Sequence, residues 1–415
     1  MASLHVAYHV NYTAYSLRGT FWRMTTHTVA GRPRAAQRVH DVDALRGFAL
    51  LGIFAVNITF MASAYPGNLV DDPAFSSPLD GAARFAVAAL FSMKFYLLFS
   101  FLFGYSFVLQ EDAAERAGAA FAPRMLRRAV GLFALGAGHI VLLYGGDVLT
   151  TYAVVSLVLL ALHRVRDRTA LTTAAGIYAV VVASLVGSAL FLDRSAIMPA
   201  PEEALAAAAA QTQAMLGSPA DVIGHNVGGL GLLVLQAVSL QGPTALAMFL
   251  LGMVAARRRL FSTVDGHRRL MRRMQWIGFP VGLAGGAVYA ALGADGSTWG
   301  TTVSVLTAPF LTAAYVATLV RLMHTSRGAW LRTALAPVGR IALTNYLAQS
   351  AVGVLLFTGV GLGLAGQVSP PMLLVLTLVV FAAQVAVSTW WLKRHRYGPA
   401  EHVLRWCTMW RRPGS

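Results

Sequence analysis

The feature that most constrains this chain is a succession of apolar runs long enough to cross a bilayer, joined by short polar connectors. They fall at 44–64, 84–109, 127–145, 148–163, 170–192, 241–256, 275–293, 299–322, 338–360 and 370–392. About 20 apolar residues in a helix span the hydrocarbon core, and lipid forces the backbone of each run to satisfy itself internally. The chain is 57% hydrophobic and 12% charged. A soluble domain carries about twice that share of charge. The expected fold class is therefore all-α, a polytopic membrane protein of about ten transmembrane helices with both termini cytoplasmic.

Charge fixes the orientation. With ten spans, 30 of the 33 Lys+Arg fall on one side of the membrane. The positive-inside bias makes that side cytoplasmic. The net charge of +16 is thus a product of topology. Its expected partners are membrane lipids, through anionic headgroups at the cytoplasmic face, and no nucleic acid. The sequence leaves a homo-oligomer open. The apolar, Gly-rich segment 222–240 is weaker than the ten. Counting it as an eleventh span would send seven arginines of 257–273 outside, so charge rejects it.

The remaining organisation is simple. Residues 1–37 read as a flexible basic cytoplasmic tail, with Met24 as an alternative start, 38–393 as the transmembrane domain, and 394–415 as a basic amphipathic tail. In the outer connector 193–221, PAPEEALAAAAAQTQAM predicts a helix outside the bilayer. Cys407 stands alone, so no intramolecular disulfide forms. No CxxC, HExxH or Cys/His cluster offers a metal site.

Ionisable groups inside spans are costly and point to function. His139 lies within the third run, which ends at Gly145-Gly146, a tight turn followed at once by Asp147. His139 is expected as a general base oriented by Asp147. The bland alternative is a histidine bonded to a neighbouring helix beside a solvated cap. Lys94 sits among eight aromatics between Phe91 and Phe107, roughly 15 Å from the outer end of its span. It is expected to join His139 and stabilise an oxyanion, the alternative being cation–π packing. The first span opens RVHDVDALRGFALLGIFAVN, with Asp41 as N-cap. Asp43, Arg46 and Asn57 share one helical stripe. Arg46 suits an anionic group such as a phosphate, or else a salt bridge to Asp43. Asn57, Lys94, His139 and Asp147 lie at similar depth on four consecutive spans and are expected to converge. The ninth run starts PVGRIALTNYLAQS, with Pro337 at a first helical position. Its Arg340 and Asn345 are candidate binding residues, although interhelical glue is the stronger reading there.

These motifs, with GHIVLLYGGDVLTTYA and YGPAEHVLRW, resemble in order and over residues 38–410 the YeiB-like family of bacterial inner-membrane proteins. That family is similar to the transmembrane acyltransferase superfamily, which includes the lysosomal heparan glucosaminide N-acetyltransferase. The family's DxxRG is carried by Asp43, Arg46 and Gly47, its lysine by Lys94, and its hairpin histidine and aspartate by His139 and Asp147. Its final GPLE reads Gly398-Pro399-Ala400-Glu401 here. The resemblance implies acyl transfer through His139 from a cytosolic acyl-CoA donor, with Arg127 and Arg128 suited to the donor's phosphates, to a lipid or envelope-glycan acceptor. Two alternatives remain open. One is a proton-coupled transporter of a small or lipid-like solute. The other is a non-catalytic membrane assembly protein.

Overall fold

A computed structural model describes residues 34–193, 198–261 and 265–409. The first 33 residues of the expected N-terminal tail lie outside them, as do residues 410–415 of the expected C-terminal one. The helices are α1 (Arg34–Ala62), α2 (Pro78–Leu90), α3 (Lys94–Arg116), α4 (Phe121–Leu142), α5 (Leu149–Leu162), α6 (Asp167–Phe191), α7 (Pro201–Leu216) and α8 (Pro219–Gly228). They continue as α9 (Leu230–Gln236), α10 (Gly242–Arg257), α11 (Arg268–Ala291), α12 (Thr298–Met323), α13 (Ala329–Arg340), α14 (Ala342–Phe357), α15 (Pro370–Leu392) and α16 (Pro399–Met409). Among the described residues there is no strand.

Each expected span overlaps helix, although 84–109 and 338–360 are each divided between two helices, and seven helical rods are long and apolar enough to cross a membrane alone. The α13–α14 pair, bent by 79°, is long and apolar enough only when its two helices are taken together. The other two expected spans are α5 and α11. At 14 residues, or about 21 Å, α5 is shorter than the roughly 20 residues a span needs. In α11 glycines and a basic first turn dilute the apolar content, and the helix instead packs closely on α12. A Cβ at Gly282 would lie 2.4 Å from the Leu311 side chain, so small residues set that seam. Large apolar side chains face outward, among them Val130, Phe191 and Trp276 at 71%, 84% and 80% exposure. Such a surface is stable only against lipid, and the protein is a multi-pass membrane protein.

The segment 222–240 is no eleventh span. It belongs to one rod over Pro219–Arg257, where α8, α9 and a π-turn run into α10. The expected outer helix is α7, and the C-terminal amphipathic helix is α16. Three local expectations need correction. Asp41 is not an N-cap, because α1 already runs from Arg34; its buried carboxylate instead accepts from His324 Nε2 (2.9 Å) and Arg332 Nη1 (3.3 Å). Pro337 lies inside α13, and the chain breaks four residues later at Ile341. The second expected span is two helices, interrupted at 91–93, where Met93 takes φ +69°.

The core is a group of glycine-mediated crossings. Cβ atoms at Gly104 and Gly252 would each come within 2.0 Å of a carbonyl oxygen on the other helix, so α3 and α10 touch backbone to backbone. Gly47 and Gly339 do the same for α1 and α13: a Cβ at Gly339 would sit 1.8 Å from the Asp43 carbonyl oxygen. The DxxRG and PVGR motifs therefore meet, and their arginines flank the contact.

Candidate functional site

The α4–α5 hairpin builds the site's centre. Gly136 lies one turn before His139, and a Cβ there would come 2.8 Å from the Thr150 backbone nitrogen and 2.9 Å from Asp147 Oδ2. Its absence lets the start of α5 close against α4. Asp147 Oδ2 accepts from the Thr150 backbone N–H (2.7 Å) and hydroxyl (2.9 Å), capping α5. Asp147 Oδ1 lies 3.0 Å from His139 Nδ1. On its other side His139 Nε2 lies 2.8 Å from Ser350 Oγ, contributed by α14. His139, Asp147 and Ser350 are 2%, 1% and 1% exposed.

An ionised carboxylate only accepts hydrogen bonds. With Asp147 ionised, His139 carries its proton on Nδ1, and Nε2 accepts the Ser350 hydroxyl. The result is a nucleophile–base–orienter chain of hydroxyl, imidazole and carboxylate, recognised by geometry and not by sequence order. The Tyr346 ring packs on the imidazole with centroids 5.0 Å apart.

Tyr346 is also part of the wall of a 420 Å³ cavity between α1, α3, α4, the α13–α14 break and α16. One part of the wall is basic: Arg46, Arg124, Arg128, Arg340 and Arg405. Most of the rest is apolar or aromatic, with Phe99, Phe103, Leu132, Leu149, Tyr152 and Tyr346. The arginines lie near the helix ends on the side of the basic loops, whereas Leu149 and Tyr346 adjoin the histidine chain. Arg46 is held by the Asp43 carboxylate and donates to the Ser106 hydroxyl. Arg128 Nε is buried with no hydrogen-bond partner, an unusual state for a guanidinium nitrogen. Tyr346 Oη is in the same state. Glu401, the only acidic residue among the described residues on this wall, is engaged elsewhere. It accepts from the backbone N–H of Leu343 (2.7 Å) and Thr344 (3.2 Å) and from the Thr344 hydroxyl (2.6 Å), capping α14 from another helix.

The other expected residues separate from this centre. Lys94 does not join His139. Its ammonium donates to the Ala88 carbonyl (3.1 Å) and lies 5.6 Å from the Tyr289 ring centre. The break after α2 leaves carbonyls without helical partners. Lys94 takes Ala88 O, and the Tyr315 hydroxyl takes Leu90 O at 3.1 Å. The lysine thus ends a half-helix inside the membrane. Asn345 donates to Val338 O (3.0 Å) and Ser388 Oγ (2.9 Å), bracing the second break. Asn57 is half-buried on α1 and lines no part of the cavity. Arg127 is exposed and lines none of it either; Arg124, one turn earlier, does. Arg340 reaches the cavity and donates to Arg396 O (3.1 Å).

Ser350 was not singled out by the sequence. Serines are common in membrane helices, and its partner lies 211 residues away. No local spacing carries that contact.

Fold and site together define a polytopic helical membrane protein whose buried hydroxyl–imidazole–carboxylate chain adjoins a basic-walled cavity. Comparison with known proteins gives the family. Residues 255–411 match the model described as "Protein of unknown function (DUF418)". The chain is similar to the uncharacterized protein YxaH of Bacillus subtilis (strain 168), 31% identical over 391 residues, covering 90% of this chain and 94% of that one. It is 26% identical over 386 residues to the uncharacterized protein YeiB of Escherichia coli (strain K12), covering 90% and 97%. The chain belongs to this YeiB-like family of DUF418 membrane proteins. The matched model includes Arg340, Ser350 and Glu401, while the histidine hairpin lies before it.

Proposed function

We propose that this protein is an acyltransferase of the bacterial inner membrane. It draws an acyl group from an acyl-CoA at the cytoplasmic face and delivers it, through His139, to a lipid or envelope-glycan acceptor. The observation that carries the reading is the cavity: arginines on one part of its wall, apolar side chains on the other, and Tyr346 separating it from His139. A volume of 420 Å³ lies within the range of small-molecule pockets, which is about 300–1,000 Å³. It suits the thin acyl-pantetheine arm of the donor, with the phosphorylated nucleotide left at the arginines. The unpartnered Arg128 Nε supports an anionic ligand, since a guanidinium offers several donors in one plane. The donor supplies an activated thioester. The chain's own groups do the rest: Arg46, Arg124 and Arg340 hold phosphate, Phe99 and Phe103 exclude water, and Asp147 keeps the His139 imidazole in the tautomer that can take a proton at Nε2. The basic face outside the cavity holds the protein against anionic headgroups.

Binding tests this first. Acetyl-CoA should raise the melting temperature of the purified protein in lipid nanodiscs, since a ligand at about 100 times its Kd adds about 2.7 kcal/mol. Arg124→Ala with Arg128→Ala should abolish the shift. A shift of full size in that double variant would remove the cavity from the account.

A further inference from the structure

We infer that Ser350 is the nucleophile of this site and carries the acyl group covalently between donor and acceptor. The inference rests on the acyltransferase reading for its substrate but on the hydrogen-bond chain for its chemistry. An imidazole has two nitrogens, and both are committed here. Nδ1 faces Asp147 Oδ1 at 3.0 Å, and Nε2 faces Ser350 Oγ at 2.8 Å. No nitrogen is left to deprotonate an acceptor from outside while Ser350 stays in place. The proton within reach of His139 is therefore that of Ser350. The carboxylate behind it is fixed too, with its second oxygen held by the Thr150 amide and hydroxyl at 2.7 and 2.9 Å. This is the arrangement in which an adjacent base activates a hydroxyl and a third group orients that base.

Position agrees. Ser350 lies one turn beyond Tyr346 on α14, about 12 Å along the helix from its start at Ala342 and about 10 Å from its end at Phe357. A group attached there has left the basic-walled cavity and stands at mid-helix. Two half-reactions then divide the transfer. In the first, Ser350 Oγ bonds to the acyl carbon as the carbon–sulfur bond of the thioester breaks; the serine proton passes to His139 Nε2 and on to the departing sulfur. In the second, the acceptor oxygen bonds to the same carbon as the Ser350 ester bond breaks. The acceptor proton passes to Nε2 and returns to Ser350 Oγ. Atoms and electrons balance, and no other reactant is needed.

The experiment uses the full chain in nanodiscs and two probes. A fluorophosphonate, which reports an activated serine without any acyl donor, is added first, and the modified peptide is located by mass spectrometry. The label should fall on Ser350, vanish in Ser350→Ala, and slow at least about a hundredfold in His139→Ala, the scale of general-base catalysis. Acetyl-CoA without acceptor should then leave one acetyl group on the same peptide. Ser350→Cys should trap it as a thioester that neutral hydroxylamine removes, which also shows that a variant at this position folds. Label elsewhere than Ser350, or acyl transfer by Ser350→Ala at the wild-type rate, overturns the inference. The second of these leaves the acyltransferase reading standing with direct transfer. Labelled Ser350 with no release of CoA by the wild type would uphold the nucleophile and overturn the donor.

Discussion

Glu401 offers a prediction whose size can be worked from three distances. Its carboxylate accepts from Leu343 N (2.7 Å), Thr344 N (3.2 Å) and Thr344 Oγ1 (2.6 Å). These groups form the first turn of α14, the helix that carries Tyr346 and Ser350 and starts just after the 79° break. The first N–H groups of a helix have no partner within it, and the break places them within protein. Glu401→Ala removes three bonds at about 1 kcal/mol net each, or about 3 kcal/mol. Glu401→Gln keeps one acceptor oxygen and loses the charge facing the helix dipole, at about 1 kcal/mol. At 1.4 kcal/mol per tenfold, local opening of the turn rises about a hundredfold for Ala and about fivefold for Gln. Hydrogen exchange read on peptides covering residues 341–350 measures this. Protection should fall in that order there while that of α6 stays constant. Protection within about twofold of wild type in Glu401→Ala would refute the claim that this carboxylate caps the broken helix. The same contact explains Gly398, where a Cβ would lie 2.3 Å from Glu401 Oε2 and 2.4 Å from Thr344 Oγ1.

Other outcomes follow from single contacts. Gly339→Ala drives a methyl into the Asp43 carbonyl and should cost about 1–3 kcal/mol, lowering the melting temperature. Gly138→Ala meets nothing within 4 Å and should be neutral or stabilise by up to about 1 kcal/mol. Lys94→Met leaves the half-buried Ala88 carbonyl without its charged donor and should destabilise by about 1–3 kcal/mol, read by thermal melting in nanodiscs. In a Cys407→Ser background, a cysteine at Ala207 on α7 should react with a membrane-impermeant maleimide in whole cells. One at Arg327 should react only in inverted vesicles. The reverse pattern would invert the topology argued from loop charge.

The spans were legible because lipid imposes one rule on every residue of a run: apolar side chains outside, backbone satisfied within. The hairpin around Asp147 was legible because Gly145-Gly146 ends one apolar run and an acid follows at once before the next, which marks a tight turn between two helices. What stayed hidden were the places where helices break. Nothing between Phe91 and Met93 marks an interruption, so Lys94 read as a free charge at the depth of His139 when it is the terminator of α2. The break at Ile341 was hidden likewise, and with it the reasons for Asn345 and Glu401, both of which satisfy backbone groups the break exposes. Arg127 and Arg128 are adjacent in sequence, yet consecutive helical residues point about 100° apart, and only Arg128 lines the cavity. Ser350 needed the fold itself, because it matters only through α14 crossing α4 at His139.

The most direct measurement is release of CoA from acetyl-CoA by the purified protein in nanodiscs, with and without a membrane-lipid extract as acceptor. It is made on the wild type, His139→Ala and Asp147→Asn, each first shown to melt near the wild-type temperature. The account predicts release that the extract accelerates and that falls at least about a hundredfold in both variants, as when a general base or its orienting carboxylate is lost. Release at the wild-type rate in folded His139→Ala would contradict it.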